Sequence, residues 1–316
     1  MSRRDPVRPH RRGPRRMKAL ITGAGGFVGP HLASELSAAG DEVIGLDLRN
    51  GPNLLDGEGW LAAVDGHRPD VIYHLAGWSD VSGSWQEPTR TFQVNALGTL
   101  SILEAARAAG TQRVVLVSSA DLYGIVGPDE QPITEEHPVQ PRSPYGASKQ
   151  AAEALGLQYH RGHGLGVIIA RPFNHLGAGQ SSRFAAAAFA AQIAEAERHG
   201  GGQVAHGDLS ARRDLTDVRD VVAAYRALAE RGEPGATYNI CSGVAVSMQS
   251  VLDRLIAQAT VPVTTSIDPD RLRPVELPVL QGSYDKLHRA TGWSPRRLLD
   301  ETLSDVLDDA RARVTV

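Results

Sequence analysis

The 316 residues are 41% hydrophobic and 22% charged, ordinary values for a soluble globular chain long enough for a large core, or for a nucleotide-binding domain with a smaller lobe. The one cysteine, Cys241, excludes an internal disulfide and fits a cytoplasmic setting, and no apolar run reaches the roughly 18 residues that span a membrane. The formal charge of −3 conceals a basic start: without the seven arginines and one aspartate of residues 1–16, the 33 basic and 36 acidic residues become 26 and 35, a net −9. So acidic a body offers no general surface for nucleic acid.

Residues 1–16 include Arg3, Arg4, Arg8, Arg11, Arg12, Arg15 and Arg16 without apolar periodicity, and are expected to be a disordered basic extension or a misassigned start ahead of Met17. From there short apolar runs alternate with helical segments. Strands are predicted at 19–22, 42–47, 71–75, 114–118 and 167–170, each rich in Val, Ile and Leu like strands buried on both faces. Helices are predicted between them at 28–39, 59–67, 88–109 and 144–161. This order predicts an α/β fold built on a doubly wound parallel sheet. Further on, helices are predicted at 183–198 and 217–231, a strand at 237–240, a proline-rich charged stretch at 262–278 and a closing helix at 297–312. The expected division is a dinucleotide-binding domain over 17–172, then mainly a substrate lobe over 173–316 interleaved with late sheet elements.

The loop Gly23-Ala24-Gly25-Gly26-Phe27-Val28-Gly29 follows the first strand and opens the first helix. In that setting Gly23 permits a tight turn, Gly26 lets backbone N–H groups approach a pyrophosphate, and Gly29 lets the helix sit close to the sheet. The helix amino terminus adds unpaired N–H groups for phosphate. Asp47, at the end of the second strand, suits the adenosine ribose hydroxyls and favours NAD, whereas Arg49 suits a 2′-phosphate and leaves NADP open. Tyr145 and Lys149 lie four apart on one helix face. An ammonium beside a phenol is expected to lower the phenol's pKa and let it exchange a proton while a hydride moves.

The runs TGAGGFVG, HLAG at 74–77, SSADLYG at 118–124 and SPYGASK at 143–149 resemble the extended short-chain dehydrogenase/reductase family over residues 17–312. The resemblance implies a Rossmann fold with a small carboxyl-terminal lobe for a nucleotide-activated sugar. It implies Ser119 beside Tyr145 at the reacting sugar oxygen, and Lys149 also at the nicotinamide ribose. Phe27 and Val28 in the glycine loop, Asn53 and Leu54 near the adenine, and Leu75, Ala76 and Gly77 along the dinucleotide complete the implied cofactor contacts. Asn95 falls where the family supports its active-site helix. Relatives commonly dimerise through a four-helix interface, here helices 88–109 and 144–161.

The family spans several reactions, so fold alone does not choose one. A 4,6-dehydratase needs a further acid-base group, and its relatives carry Glu where Asp121 stands here, one methylene shorter. ARPFNHLGAGQ at 170–180, RRDLTDVRD at 212–220, YNICSG at 238–243 and the Arg273–Glu276 run resemble GDP-4-dehydro-6-deoxy-D-mannose reductases, which carry Asp at the Asp121 position. The implied reaction is NAD(P)H-dependent reduction of a GDP-4-keto-6-deoxyhexose. Arg213 and Arg273 suit a diphosphate, Glu276 a nucleotide ribose, and Asn174 the sugar or a phosphate. Arg183 and Val204 are placed near the pyrophosphate and base, with ordinary helix-surface and strand-packing roles as the alternative. A GDP-mannose 4,6-dehydratase, a sugar-nucleotide epimerase and a non-enzymatic dinucleotide sensor remain as alternatives. The histidines, including His74, His175 and His206, show no metal-ligand spacing and are expected in packing, loop or supporting roles; no metal is expected.

Overall fold

The computed structural model describes residues 16–272 and 277–314. Six strands form one parallel sheet in the order β2-β1-β3-β4-β5-β9: β1 (Lys18–Thr22), β2 (Glu42–Leu46), β3 (Val71–His74), β4 (Arg113–Val117), β5 (Gly166–Pro172) and β9 (Thr237–Ile240). The chain reverses direction across the sheet between β1 and β3, which opens a crevice at the carboxyl ends of the strands. Alternation along each strand feeds two cores. Ala19 and Ile21 face one layer with α1 (Val28–Ala38) and α8 (Val218–Arg231), while Leu20 faces the other with α2 (Gly57–His67) and α5 (Gly98–Ala108). With both faces covered, the strands read as continuous apolar runs. The expected doubly wound sheet is present, with boundaries moved by one or two residues.

The largest departure in the first half lies at 88–109. One helix is expected there, but α4 (Pro88–Phe92) is joined to α5 by a widened π turn, Gln93–Leu97. Such a turn breaks the regular backbone ladder, and here the Thr99 hydroxyl bonds the Asn95 carbonyl (2.6 Å). The short α3 (Val81–Ser84) precedes it. Helix α6 (Pro144–His163) starts where predicted: Ser143 caps it through the Gly146 N–H at 3.0 Å, and Pro144 occupies the first turn. It runs past residue 161 to Gly164, whose φ of 71° ends it in a left-handed cap.

The second half holds strands that periodicity did not give. β8 (Arg212–Asp217) pairs with β6 (Asn174–Leu176), β10 (Ala245–Ser247) and β12 (Val279–Leu280), and β7 (Gly202–His206) pairs with β11 (Val263–Ile267). These pack with α7 (Ala185–Arg198), α9 (Met248–Ile256) and α11 (Leu299–Val314) around a third core; α10 (Asp285–Thr291) returns to the main sheet beside α8. The half is interleaved, since it also gives β9 and α8 to the main sheet. No helix of the described residues is long and apolar enough to cross a membrane.

Candidate active site

A cleft of about 1800 Å³ runs from the glycine loop across the carboxyl edge of the sheet to the second half. At one end the loop is fitted to close approach. Gly23 has φ 73°, and a Cβ on it would stand 2.8 Å from the Ala76 amide nitrogen; a Cβ on Gly29 would overlap the Ala24 carbonyl. The first turn of α1 has no side-chain cap and no acidic residue, so its N–H groups and positive dipole end suit an anion. A Cβ on Gly25 would overlap both Asp47 and Arg49, so the loop closes onto the two residues that follow the second strand. They form one ion pair: Arg49 Nη2 is 2.6 Å and Nε 3.1 Å from Asp47 Oδ2. Hydrogen bonds from Arg49 hold the half-buried Asp47 carboxyl below the usual range. The residues present fit a dinucleotide.

At the centre, Tyr145, Ser119, Asp121 and Lys149 share the cleft wall. The Tyr145 phenol is hydrogen-bonded with Ser119 and is pushed up to about 12 by burial, which that bond offsets only in part, while the Asp121 charge adds to the rise. The expected lowering by Lys149 is therefore corrected: desolvation of the phenolate dominates. The Lys149 ammonium donates to the Val117 carbonyl at 2.9 Å, and burial lowers its pKa to about 8 against the favourable charge of Glu153. The Asp121 carboxylate accepts the Ser143 hydroxyl at 2.7 Å, so it braces the cap of α6; burial raises its pKa.

Supporting groups hold this wall in register. Asn95, freed by the π turn, accepts the Trp78 N–H at 2.7 Å and donates to Ser148 Oγ at 2.9 Å, on the turn between Tyr145 and Lys149. His74 bridges Thr22 (2.8 Å) and Thr99 (3.1 Å). Burial, then the Lys149 charge, push its pKa down to about 3, so it is a neutral strut.

Asn53, Leu54, Leu75, Ala76 and Gly77 line the cleft at its glycine-loop end, and Asn174, Arg183 and Arg213 line the far end. Arg213 donates to the Arg212 and Leu277 carbonyls at 2.8 and 2.9 Å. Among the described residues no carboxylate pairs with it, and burial lowers its pKa. Val204 is a correction: its side chain is fully buried in the third core, the strand-packing alternative to a base contact. Arg273 and Glu276 lie outside the described residues. Sequence reasoning missed Gln180, Asp208, Arg271 and Tyr225 on the cleft wall, and gave His175 and His206 no part in it. His175 lies parallel to the Phe27 ring at 6.0 Å, a contact between distant segments that no local pattern signals. Among the described residues, no group of three or more His, Cys, Asp or Glu is arranged to hold a metal.

Residues 52–306 match the family model described as GDP-mannose 4,6 dehydratase. The chain belongs to this family. It is 39% identical over 299 residues to the GDP-6-deoxy-D-mannose reductase of Pseudomonas aeruginosa, covering 94% of this chain and 98% of that one. Among solved structures it resembles RMD from Pseudomonas aeruginosa complexed with NADPH, with TM-score 0.89 and 38% identity over 96% and 100% of the two chains. It also resembles the UDP-glucose 4-epimerase of Thermus thermophilus in complex with NAD, with TM-score 0.81 and 30% identity over 93% and 99%. The family is thus one of sugar-nucleotide oxidoreductases on a Rossmann fold, as the sequence motifs imply.

Proposed function

We propose that this NAD(P)-dependent enzyme reduces the 4-keto group of a GDP-4-keto-6-deoxyhexose, converting GDP-4-dehydro-6-deoxy-D-mannose to GDP-D-rhamnose or its C4 epimer. The observation that carries the reading is the placement of Tyr145 beside Ser119 and Lys149 on the cleft wall, next to the glycine loop. Ketone reduction begins with a proton donor, and Tyr145 is one. The bound dinucleotide supplies the hydride. Tyr145 gives its proton to the carbonyl oxygen as charge develops there, Ser119 donates a second hydrogen bond, and Lys149 stabilises the phenolate left behind. Asp121, engaged with Ser143, is read as a brace for the active-site helix instead of the second acid-base group that a dehydratase needs. The likeness to the Pseudomonas reductase supports the same choice.

In this reading residues 17–172 carry the dinucleotide, and 173–316, apart from the elements they lend to the sheet, carry the sugar nucleotide. Asp47 serves NADH through the ribose hydroxyls. Arg49, whose side chain is 78% exposed, is free to leave Asp47 for a 2′-phosphate, so NADPH is accepted too. The test is to mix the protein with GDP-4-keto-6-deoxymannose and either NADH or NADPH in separate reactions. The expected result is one reduced cofactor oxidised per ketone consumed, and the two rates give the preference. An unreactive ketone, with GDP-mannose instead converted to its 4-keto-6-deoxy derivative, establishes a dehydratase.

The reading includes a cytoplasmic homodimer built on α4–α5 and α6. Phe92 and Leu97 stand 46% and 47% exposed there, beside the small exposed Ala147 and Ala154 of α6, a combination suited to close helix packing. Light scattering on the eluting protein should give twice the 33.7 kDa chain mass; a monomer at micromolar concentration rejects this assembly.

A further inference from the structure

Four residues beyond Lys149 on the same face of α6, Glu153 is buried against Arg171 of β5. The pair is a planar fork: Arg171 Nε is 2.8 Å from Glu153 Oε1, and Nη2 is 2.7 Å from Oε2. The third nitrogen, Nη1, donates to the Tyr123 hydroxyl at 2.9 Å, and the guanidinium lies 5.0 Å from the centre of the Tyr123 ring. Tyr123 in turn donates to Asn239 Oδ1 at 2.7 Å, and Asn239 Nδ2 donates to the Ile133 carbonyl at 3.1 Å. The network therefore joins α6, β5, β9 and the turn Ala120–Tyr123 that follows Ser119.

A buried ion pair is no bargain for stability, because an apolar pair of similar volume serves as well or better. What an apolar pair cannot do is act on a neighbouring charge. Lys149 is nearly as buried as Glu153, and its Nζ donates to a neutral carbonyl oxygen, with no carboxylate in ion-pair contact among the described residues. Glu153 on its own helix and His74 on β3 interact with it, Tyr145 and Asp121 share the cleft wall with it, and Arg171 on β5 is bonded to Glu153. Tyr145 and His74 are neutral near pH 7, and Asp121 is bonded to Ser143. Glu153 is the group that favours the ammonium, and residues i and i+4 of a helix stand roughly 5–6 Å apart at Cβ.

We propose that Glu153, held one helical turn from Lys149 by the Arg171–Tyr123–Asn239 network, is a positioning residue whose carboxylate stabilises the Lys149 ammonium. Arg171 aims the carboxylate, and through Tyr123 it fixes the Ser119 turn against the same helix, so both donor groups and the ammonium share one anchor. The inference rests on the role given to Lys149 above, but its test needs no substrate.

The chain has three lysines, Lys18, Lys149 and Lys286, so protein labelled with ¹³C at lysine Cε gives three signals, assigned with Lys18→Arg and Lys286→Arg. In the wild type the Lys149 signal should titrate at about 8. Glu153→Gln keeps the shape and most hydrogen bonds but removes the negative charge that favours the ammonium. Its Lys149 midpoint should fall by about one pH unit, roughly a tenfold loss of proton affinity. Glu153→Asp, the milder change should the glutamine variant not fold, should shift it the same way by about threefold. An unmoved midpoint in either folded variant overturns the proposal. A protein inactive on the ketone but showing the shift rejects the substrate reading alone.

Discussion

Tyr145→Phe should lower kcat for ketone reduction by roughly 10²- to 10⁴-fold, the usual worth of a positioned proton donor, while NAD(P)H binds nearly as tightly as before. The substitution removes one oxygen from a buried ring whose backbone is otherwise held, since the Tyr145 N–H bonds Ser84 Oγ at 3.2 Å and Ser143 caps the helix through Gly146. The glycine loop and the Asp47–Arg49 pair lie at the other end of the cleft and are untouched. Ser119 still donates one hydrogen bond to the substrate oxygen, so residual activity is expected. Rapid mixing with the ketone measures the rate, and quenching of tryptophan fluorescence by the cofactor measures binding; equal turnover in the two proteins removes Tyr145 from the chemistry.

The pH dependence has a definite sign. Burial holds the phenol at about 12 and the ammonium at about 8, so Tyr145 keeps its proton across the working range and Lys149 titrates first. In the wild type, reduction should be fastest below pH 8 and decline as pH rises through that value, because the phenolate formed on proton transfer then lacks its cation. The Phe variant has no phenolate to stabilise, so its residual rate should lose most of this alkaline decline.

How far the sequence carried these conclusions depends on where each residue gets its environment. The strands of the main sheet were legible because burial on both faces makes them short runs of Val, Ile and Leu. The glycine loop and α6 were legible because cap, turn and close approach are local demands, as at Ser143, Pro144 and Gly23. The π turn was not, because it is stabilised by Asn95 reaching Trp78 and Ser148, residues 17 and 53 positions away. Strand β8 reads as a charged loop, RRDLTD, yet Asp214 within it is fully buried. Its carboxylate is satisfied by the Ser242 N–H and hydroxyl and by the N–H groups of Gly243 and Gly282, all far along the chain. Hydropathy sees a carboxylate and cannot see its four donors. The same blindness placed Val204 by the base, although alternation in β7 turns it into the third core, and predicted a lowered pKa for Tyr145, where burial dominates.

Arg213 tests the other end of the cleft. Its neighbour Asp214 pins the strand, so the guanidinium is presented from a fixed backbone, with Nη1 bound by the Arg212 and Leu277 carbonyls. Those bonds are to neutral acceptors and leave the charge uncompensated among the described residues. A half-buried cation in that state has lost hydration without gaining an anion, which is the condition in which a diphosphate is most welcome. Arg213→Ala should therefore weaken the nucleotide sugar by about 1.5–3 kcal/mol, a rise in KM of roughly 10- to 150-fold. The dinucleotide should bind as before. The effect should also separate charge from shape: Arg213→Lys restores part of the affinity, because a point charge remains, but not the two-pronged contact of a guanidinium. GDP alone, titrated by calorimetry, should show the same loss as the full sugar nucleotide, since the phosphates are common to both. If GDP binding is unaffected while the sugar nucleotide weakens, Arg213 contacts the hexose and not the diphosphate.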